Sequence, residues 1–330
     1  MPKPKIAIYW CASCGGCEEA FVDLAEGILG VLEAVDIVFW PVAMDFKKSD
    51  VCAMPDKSIV ATFLNGAIRT SEQEEMARML RRKSQFLIAY GACACSGGIP
   101  GLANQFSREQ LLRYVYEEAP TVTNDAKTRP LARFGDNGHT LELARMRNLV
   151  RSLDQVVEVD YYIPGCPPTP KLTQAAIGAL LAGKLPEKGS VLAPDTALCS
   201  ECPRRSTKPT DLSFTAFRRP HEILLDPAKC LLAQGVVCMG PATRAGCEAA
   251  CPSGNMPCTG CFGPTSRVRD QGAKMLSSLC SNIAARDEAA INEVLDGIPD
   301  PVGTFYRYSL PKSLIRRKAD LPAEVGIPEP

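Results

Sequence analysis

Short apolar runs and longer amphipathic stretches alternate along the first half of the chain. Runs rich in β-branched residues predict buried strands at 5–10, 36–42, 58–64, 85–90 and 155–163. Apolar residues spaced three and four apart predict helices over 18–35, 71–83, 107–119 and 171–183. Strands that alternate with helices favour a parallel, doubly wound α/β sheet.

Local signals mark where some of these helices begin and end. Ser71 with Glu74 predicts a capping box at the start of the second helix, and Ser107 with Gln110 predicts one for the third. Gly183 is a suitable residue to follow the last helix. The polar stretch 120–140 predicts a loop insertion.

The character of the sequence changes after residue 185. A linker is predicted over 185–196, and residues 197–264 then contain eight cysteines but few long apolar runs. Such a segment is expected to depend on bound metal for its shape rather than on an ordinary core. The remainder predicts one helix over 276–295 and a charged tail that lies on another surface. The predicted domains are therefore 1–185, 186–264 and 265–330.

The composition excludes several classes of protein. The 330 residues include 37 basic and 37 acidic side chains, so the formal charge is zero, which argues against nucleic acid or a membrane as the main partner. There is no run of 18 apolar residues and no leader-like N-terminus. No phosphate-binding loop, dinucleotide fingerprint or Ser-His-Asp signature appears. We expect a cytoplasmic protein.

The chain has sixteen cysteines and only two histidines, His139 and His221, which limits the kinds of metal site that it can form. In a reducing cytoplasm, clustered cysteines bind metal more often than they form disulfides. With so few histidines, sites made entirely of thiolates are expected.

Cysteines follow three of the predicted strands. Cys14 and Cys17 come after the first strand, Cys93 and Cys95 after the strand at 85–90, and Cys166 after the strand at 155–163. Carboxyl ends of parallel strands meet at one edge of the sheet, so these thiols are expected to converge on a four-cysteine site. The alternative is a set of buried thiols that act as small apolar side chains. A two-cluster ferredoxin run is rejected because Phe21 stands where its next cysteine belongs.

The second region supplies enough thiols for two more four-cysteine sites. They are Cys199, Cys202, Cys230, Cys238, Cys247, Cys251, Cys258 and Cys261. Their spacing indicates metal but does not separate zinc from iron–sulfur clusters, because both accept tetrahedral thiolate sets.

Several motifs resemble one family. CGGCE at 14–18, IPGCPP at 163–168 and the cysteine block at 238–264 resemble the small, electron-transferring subunit of NiFe hydrogenases. The stretches at 36–45, 63–74 and 230–235 resemble the cytoplasmic branch that is linked to heterodisulfide reductase and reduces methyl viologen. The resemblance covers about residues 4–264.

The resemblance implies a flavodoxin-like first domain and a less regular C-terminal domain that together hold three 4Fe–4S clusters. It implies the following ligands: for the proximal cluster Cys14, Cys17, Cys93 and Cys166; for the medial cluster Cys247, Cys251, Cys258 and Cys261; for the distal cluster Cys199, Cys202, Cys230 and Cys238. In many periplasmic relatives the first distal ligand is a histidine, where Cys199 stands here. Many of them also have a three-iron medial cluster with a proline near the position of Cys251, so Cys251 suggests a full four-iron medial cluster.

The other four cysteines, Cys11, Cys52, Cys95 and Cys280, are interpreted as structural thiols, although Cys11 or Cys95 could replace Cys14 or Cys93.

Glu18 and Glu19 either assist proton movement or simply suit the first turn of a helix. His221 is interpreted as a polar loop residue. Arg244 either bonds near a cluster or forms a salt bridge.

The resemblance also implies partners and a role. A NiFe large subunit would oxidise H2, and the three clusters would pass its electrons to a small 2Fe–2S subunit and heterodisulfide reductase. One alternative is the small subunit of a sulfur- or nicotinamide-linked hydrogenase. Small subunits of complex I resemble the first domain alone. An alternative from another class is a zinc-stabilised scaffold with no redox role.

Overall fold

The computed structural model describes residues 3–316. Its strands are β1 (Lys5–Trp10), β2 (Asp36–Phe39), β3 (Ile59–Asn65), β4 (Ile68–Thr70), β5 (Ser84–Tyr90), β6 (Arg133–Asp136), β7 (His139–Glu142), β8 (Met146–Arg151) and β9 (Tyr161–Ile163). Its α-helices are α1 (Gly16–Val22), α2 (Gly27–Ala34), α3 (Lys48–Ala53), α4 (Ser71–Lys83), α5 (Ala92–Ser96), α6 (Arg108–Arg113), α7 (Pro170–Leu181), α8 (Ala250–Ser253), α9 (Gln271–Cys280), α10 (Glu288–Leu295) and α11 (Pro301–Phe305).

Five strands form one parallel sheet in the order β2-β1-β3-β5-β9, with helices around it. This order is the flavodoxin-like one, so the predicted doubly wound α/β fold is confirmed. The carboxyl ends of β1, β3, β5 and β9 lie at the same edge. The last strand is shorter than the predicted 155–163, because a turn capped by Ser152 occupies 153–155.

Two predicted helix details are corrected. The single helix expected over 18–35 is two helices, α1 and α2, because the chain turns between them and Ala25 takes a left-handed φ of 49°. The capping box of α4 lies one residue earlier than Ser71 and Glu74: the Thr70 hydroxyl accepts from the Gln73 backbone N–H, 3.3 Å away. The box between Ser107 and Gln110 is confirmed.

Two stretches beyond the sheet also differ from expectation. The loop predicted over 120–140 contains part of a hairpin, β6–β7, whose turn residues Asn137 and Gly138 both have positive φ, as a two-residue hairpin turn requires. The helix predicted over 276–295 is interrupted, because α9 ends at Cys280 and the Asp287 carboxylate caps a new helix, α10.

The cysteine-rich region contributes to an apolar core, which corrects the expectation that it has little to build one. Buried side chains from Leu198 and Phe214 through Met275 and Leu279 to Leu310 form one cluster. Residues after 264 therefore complete the core of the cysteine-rich region.

The end of the described chain packs back on the first region. The Gly98 backbone N–H donates to the Tyr308 carbonyl at 3.1 Å, and a Cβ at Gly97 would lie 2.2 Å from the Pro311 ring. These contacts support the loop that follows β5. The charged tail predicted to lie on another surface falls mostly after residue 316, outside the described residues. None of the helices within 3–316 is both long and apolar enough to cross a membrane.

Candidate functional site: three groups of cysteine thiols

Four thiols meet at the carboxyl edge of the sheet, and we call them the sheet-edge group: Cys14, Cys17, Cys93 and Cys166. Gly15, with φ of 90°, turns the chain after β1 so that Cys17 enters the first turn of α1. Burial raises the pKa of the Cys17 thiol, and the nearby Cys93, Cys166 and Cys14 raise it further. Cys166 in turn has a pKa raised by burial and by Cys14. The strand ends thus bring together the four thiols predicted for the first site.

Glycine is required where backbone and sulfur come close in this group. A Cβ at Gly91 would lie 2.3 Å from Sγ of Cys17, and one at Gly98 would lie 2.4 Å from Sγ of Cys93. Burial raises the pKa of Cys93 to about 12, while the Ile99 backbone N–H lowers it by bonding to the sulfur. Backbone amides commonly donate hydrogen bonds to the sulfurs of thiolate–metal sites, so this group suits an iron–sulfur cluster.

Cys11 and Cys95 belong to a different apolar cluster from Cys17, although Cys95 is near enough to Cys17 to contribute to the rise in its pKa. Both are buried in the apolar cluster between the sheet and α4. The Cys95 thiol donates to the Ala89 carbonyl at 3.4 Å and the Ile163 carbonyl at 3.5 Å. These contacts favour the structural role predicted for Cys11 and Cys95.

A second group, the end group, consists of Cys199, Cys202, Cys230 and Cys238. Burial raises the pKa of Cys199, and Cys202 and Cys230 are among the nearby thiols that raise it further. The pKa of Cys238 is raised by burial to about 11 although two backbone N–H groups, from Gly240 and Cys258, bond to its sulfur. A Cβ at Gly240 would lie 3.3 Å from Sγ of Cys199 and 3.6 Å from Sγ of Cys238, so these two sulfurs flank the same glycine.

The third group, the middle group, consists of Cys247, Cys251, Cys258 and Cys261. Burial raises the pKa of Cys247, which also lies near Cys251 and receives N–H groups from Ala249 and Ala250. Burial raises the pKa of Cys261 to about 12, with Cys166, Cys247 and Cys251 as nearby thiols. Cys258 is buried beside Cys261, and its pKa is well above the ordinary value.

The three groups are arranged in series. At one end of the middle group, the backbone N–H of Cys166 bonds to the Cys261 sulfur, which joins it to the sheet-edge group. At the other end, the Cys258 N–H lies 3.3 Å from Sγ of Cys238 in the end group. Among residues 3–316, no three Cys, His, Asp or Glu side chains have the spacing of a site for one metal ion.

The Glu18 side chain is buried, although an acidic residue in the first turn of a helix is favourable even when it is exposed to solvent. Its carboxylate accepts from the Asn65 amide at 2.5 Å and from the Trp40 indole N–H. Burial raises its pKa, and these two hydrogen bonds partly offset the rise. Asn65 ends β3 and Trp40 follows β2, so the carboxylate connects α1 to the ends of two strands beside Cys17.

The structure also places Arg244 and His221. Arg244 is buried and forms a salt bridge to Asp195 at 2.8 Å, with further bonds to the carbonyls of Ala193, Pro194 and Pro264. The salt-bridge interpretation is therefore favoured. His221 is exposed in a loop beside Glu222, as predicted.

Sequence reasoning missed Glu201, which lies between Cys199 and Cys202. Its carboxylate accepts from backbone N–H groups on both sides of Cys247. Only its position inside a C-x2-C motif hinted at such a role, because its partners lie more than 40 residues away.

Comparison with known proteins identifies the family. A family model described as the 20 Kd subunit of NADH ubiquinone oxidoreductase matches residues 14–180. The iron–sulfur subunit of the F420-non-reducing hydrogenase of Archaeoglobus profundus is 37% identical over 317 residues, 95% of this chain and 98% of that protein. A subunit of the F420-non-reducing vhu hydrogenase of Methanocaldococcus jannaschii is 38% identical over 315 residues, 96% of this chain and 98% of that protein.

A solved structure supports the fold. The H2-activated NiFeSe hydrogenase of Dm. baculatum matches with a TM-score of 0.50 and 18% identity, and the match covers 81% of this chain and 96% of that one. At this identity the likeness concerns the fold alone. Near-complete coverage of the two F420-non-reducing relatives is what decides the family. The chain belongs to the family of F420-non-reducing hydrogenase iron–sulfur subunits.

Proposed function

We propose that this subunit carries electrons away from H2 oxidation through three 4Fe–4S clusters. The sheet-edge group (Cys14, Cys17, Cys93, Cys166) would hold the proximal cluster. The middle group (Cys247, Cys251, Cys258, Cys261) would hold the medial cluster, and the end group (Cys199, Cys202, Cys230, Cys238) the distal one.

The serial order of the thiol groups is the observation that carries this proposal. The contact between Cys166 and Cys261 joins the first two groups, and the contact between Cys258 and Cys238 joins the last two. Electron transfer needs closely spaced redox centres, whereas a scaffold stabilised by zinc has no need for its sites to follow one another. A chain of contacts from the sheet edge to the far end therefore favours a redox path.

When bound, an iron–sulfur cluster supplies reversible one-electron transfer. The residues of this chain would hold it and set its potential. The thiolates would bind the irons. Backbone N–H groups such as those of Ile99 and Gly240 bond to the sulfurs, and burial would keep water away from the cluster. Glu18 keeps the strand ends beside Cys17 in place through Asn65 and Trp40.

We propose a NiFe large subunit as the partner that splits H2, next to the sheet-edge group. A small 2Fe–2S subunit and heterodisulfide reductase would take electrons from the end group in the cytoplasm. The near full-length identity to F420-non-reducing relatives supports this branch. A nicotinamide- or sulfur-linked hydrogenase is the alternative.

Anaerobic purification tests the cluster content. Three four-iron clusters correspond to about 12 iron and about 12 sulfide per chain, in a brown preparation that H2 reduces when a nickel-containing subunit copurifies. A colourless protein that contains zinc instead would support the scaffold and refute the proposal.

The copurifying acceptor separates the two hydrogenase branches. A 2Fe–2S protein and heterodisulfide reductase subunits, with H2-dependent reduction of a disulfide, would support the proposed branch. A diaphorase with H2-dependent reduction of nicotinamide would favour the alternative.

A further inference from the structure

Glu201 joins two of the thiol groups through its carboxylate. It lies between Cys199 and Cys202 of the end group, yet its hydrogen bonds reach the middle group. The Gly246 N–H lies 3.0 and 3.1 Å from the two carboxylate oxygens, and the Ala249 N–H lies 3.2 Å from one of them. The two donors stand on either side of Cys247.

The turn that holds Cys247 is strained. Gly246 has φ of 118°, and the non-glycine residues Glu248 and Ala249 have φ of 56° and 51°. Non-glycine residues in the left-handed region are costly and persist where the surroundings hold them there. A Cβ at Gly246 would approach the Pro194 ring to 3.0 Å, so the turn is also closely packed.

The Ala249 N–H has two acceptors, the Cys247 sulfur and the Glu201 carboxylate. Ala249 is completely buried, and a buried N–H without an acceptor is destabilising. A carboxylate is a stronger acceptor than a neutral oxygen. Glu201 thus binds, from outside the turn, the N–H groups on both sides of Cys247.

We infer that Glu201 is a positioning residue, which holds the 246–249 turn so that Cys247 presents its sulfur to the medial cluster. This inference rests on the proposed assignment of Cys247 as a medial ligand. Because the same residue lies between two end-group ligands, it also fixes the orientation of one cluster loop relative to the next.

Three variants of the whole complex, purified without oxygen, test this role. Glu201→Ala removes the acceptor, and Glu201→Gln keeps one neutral acceptor oxygen. Glu248→Gln is the matched control, because it removes a negative charge from the same turn. The Glu248 side chain is exposed and pairs with Lys171, not with the turn amides. The readouts are iron per chain, cluster signals in low-temperature paramagnetic resonance, and the rate of iron release to a chelator.

We expect Glu201→Ala to lose the medial signal and about one third of the iron, from about 12 to about 8 per chain. Glu201→Gln should keep its iron but release the medial third several-fold faster than the wild type. Glu248→Gln should match the wild type. This pattern would separate positioning from a simple effect of charge.

Other outcomes would overturn the inference. Glu201→Ala with full iron and an unchanged medial signal would do so, as would equal effects of Glu201→Gln and Glu248→Gln. If Glu201→Ala does not fold, the rate of iron release from Glu201→Gln decides whether Glu201 is a positioning residue. A rate equal to that of the wild type refutes this role. A wild type without three clusters would instead refute the proposed function.

Discussion

The two regions of the molecule place their thiols by different means. In the first region, largely buried strands such as β3 end at one sheet edge, and the thiols follow the strand ends. In the cysteine-rich region, the elements between 197 and 264 are short 3-10 turns and the four-residue α8. There the thiols are positioned by an irregular core, by backbone amides and by side chains such as Glu201 and Arg244. The second arrangement should therefore depend far more on bound metal.

Iron removal should give the largest difference between the two regions. We expect anaerobic chelation to reduce amide-exchange protection in 197–264 on the order of 100-fold, about 2.8 kcal/mol. The strands β1, β3 and β5 should keep most of their protection, because their core contains no cluster ligand except at its edge. The measurement is hydrogen exchange by mass spectrometry with and without iron. Equal loss in both regions would show that the comparison is wrong.

The glycine beside Cys17 should be intolerant of a side chain. Gly91→Ala adds a Cβ 2.3 Å from the Cys17 sulfur at a φ of 87°. Strain and overlap should cost about 2–4 kcal/mol and remove the proximal cluster. Gly178→Ala is the control, since Gly178 lies within α7 with nothing within 4 Å.

That control should be neutral or stabilise the protein by about 0.4–1 kcal/mol. Iron analysis and denaturant unfolding measure both effects. Retention of all iron by Gly91→Ala would argue against a cluster next to Cys17.

The pair Cys93 and Cys95 tests which thiol after β5 is the ligand. Cys93→Ser should lose about four of 12 irons per chain. Cys95→Ser should keep its iron and lose about 1 kcal/mol of stability, because its sulfur only donates to two carbonyls in the core. The reverse pattern of iron loss would move the site to the other face of α5.

The smallest effect on stability is expected at Glu74, and it is confined to the first region. Burial would raise the pKa of its carboxyl, but Arg78, Arg151 and Arg147 outweigh this and lower the pKa to about 2. The charged form therefore stabilises the fold above about pH 4.5, and this contribution disappears as the pH falls towards 2.

Glu74→Gln should cost about 1–3 kcal/mol near neutral pH, and its difference from the wild type should shrink below pH 4.5. Glu75→Gln is the control, because Glu75 is exposed and pairs with Lys48 at the surface. Urea unfolding across this pH range measures both. A difference that grows with acidity would have the wrong sign.

The sequence predicted the parts of the molecule that local patterns control. The apolar strand runs and their alternation with helices were sufficient to predict the parallel sheet. The rule that ligands bind at the carboxyl ends of parallel strands predicted that four thiols would lie close together: Cys14, Cys17, Cys93 and Cys166. The break between α1 and α2 was missed because Ala25 takes a left-handed conformation, which an alanine in the sequence does not predict. Contacts of high sequence separation, such as Glu201 with Ala249 and Gly98 with Tyr308, have no local signal at all.

Diffraction at the iron absorption edge from crystals grown without oxygen tests the central claim most directly. Three iron sites in a row are expected, with the middle one bordered by Cys261 and Cys258 and the first enclosed by Cys14, Cys17, Cys93 and Cys166. Fewer than three iron sites, zinc in their place, or an iron bound by Cys11 or Cys95 would contradict the proposed path.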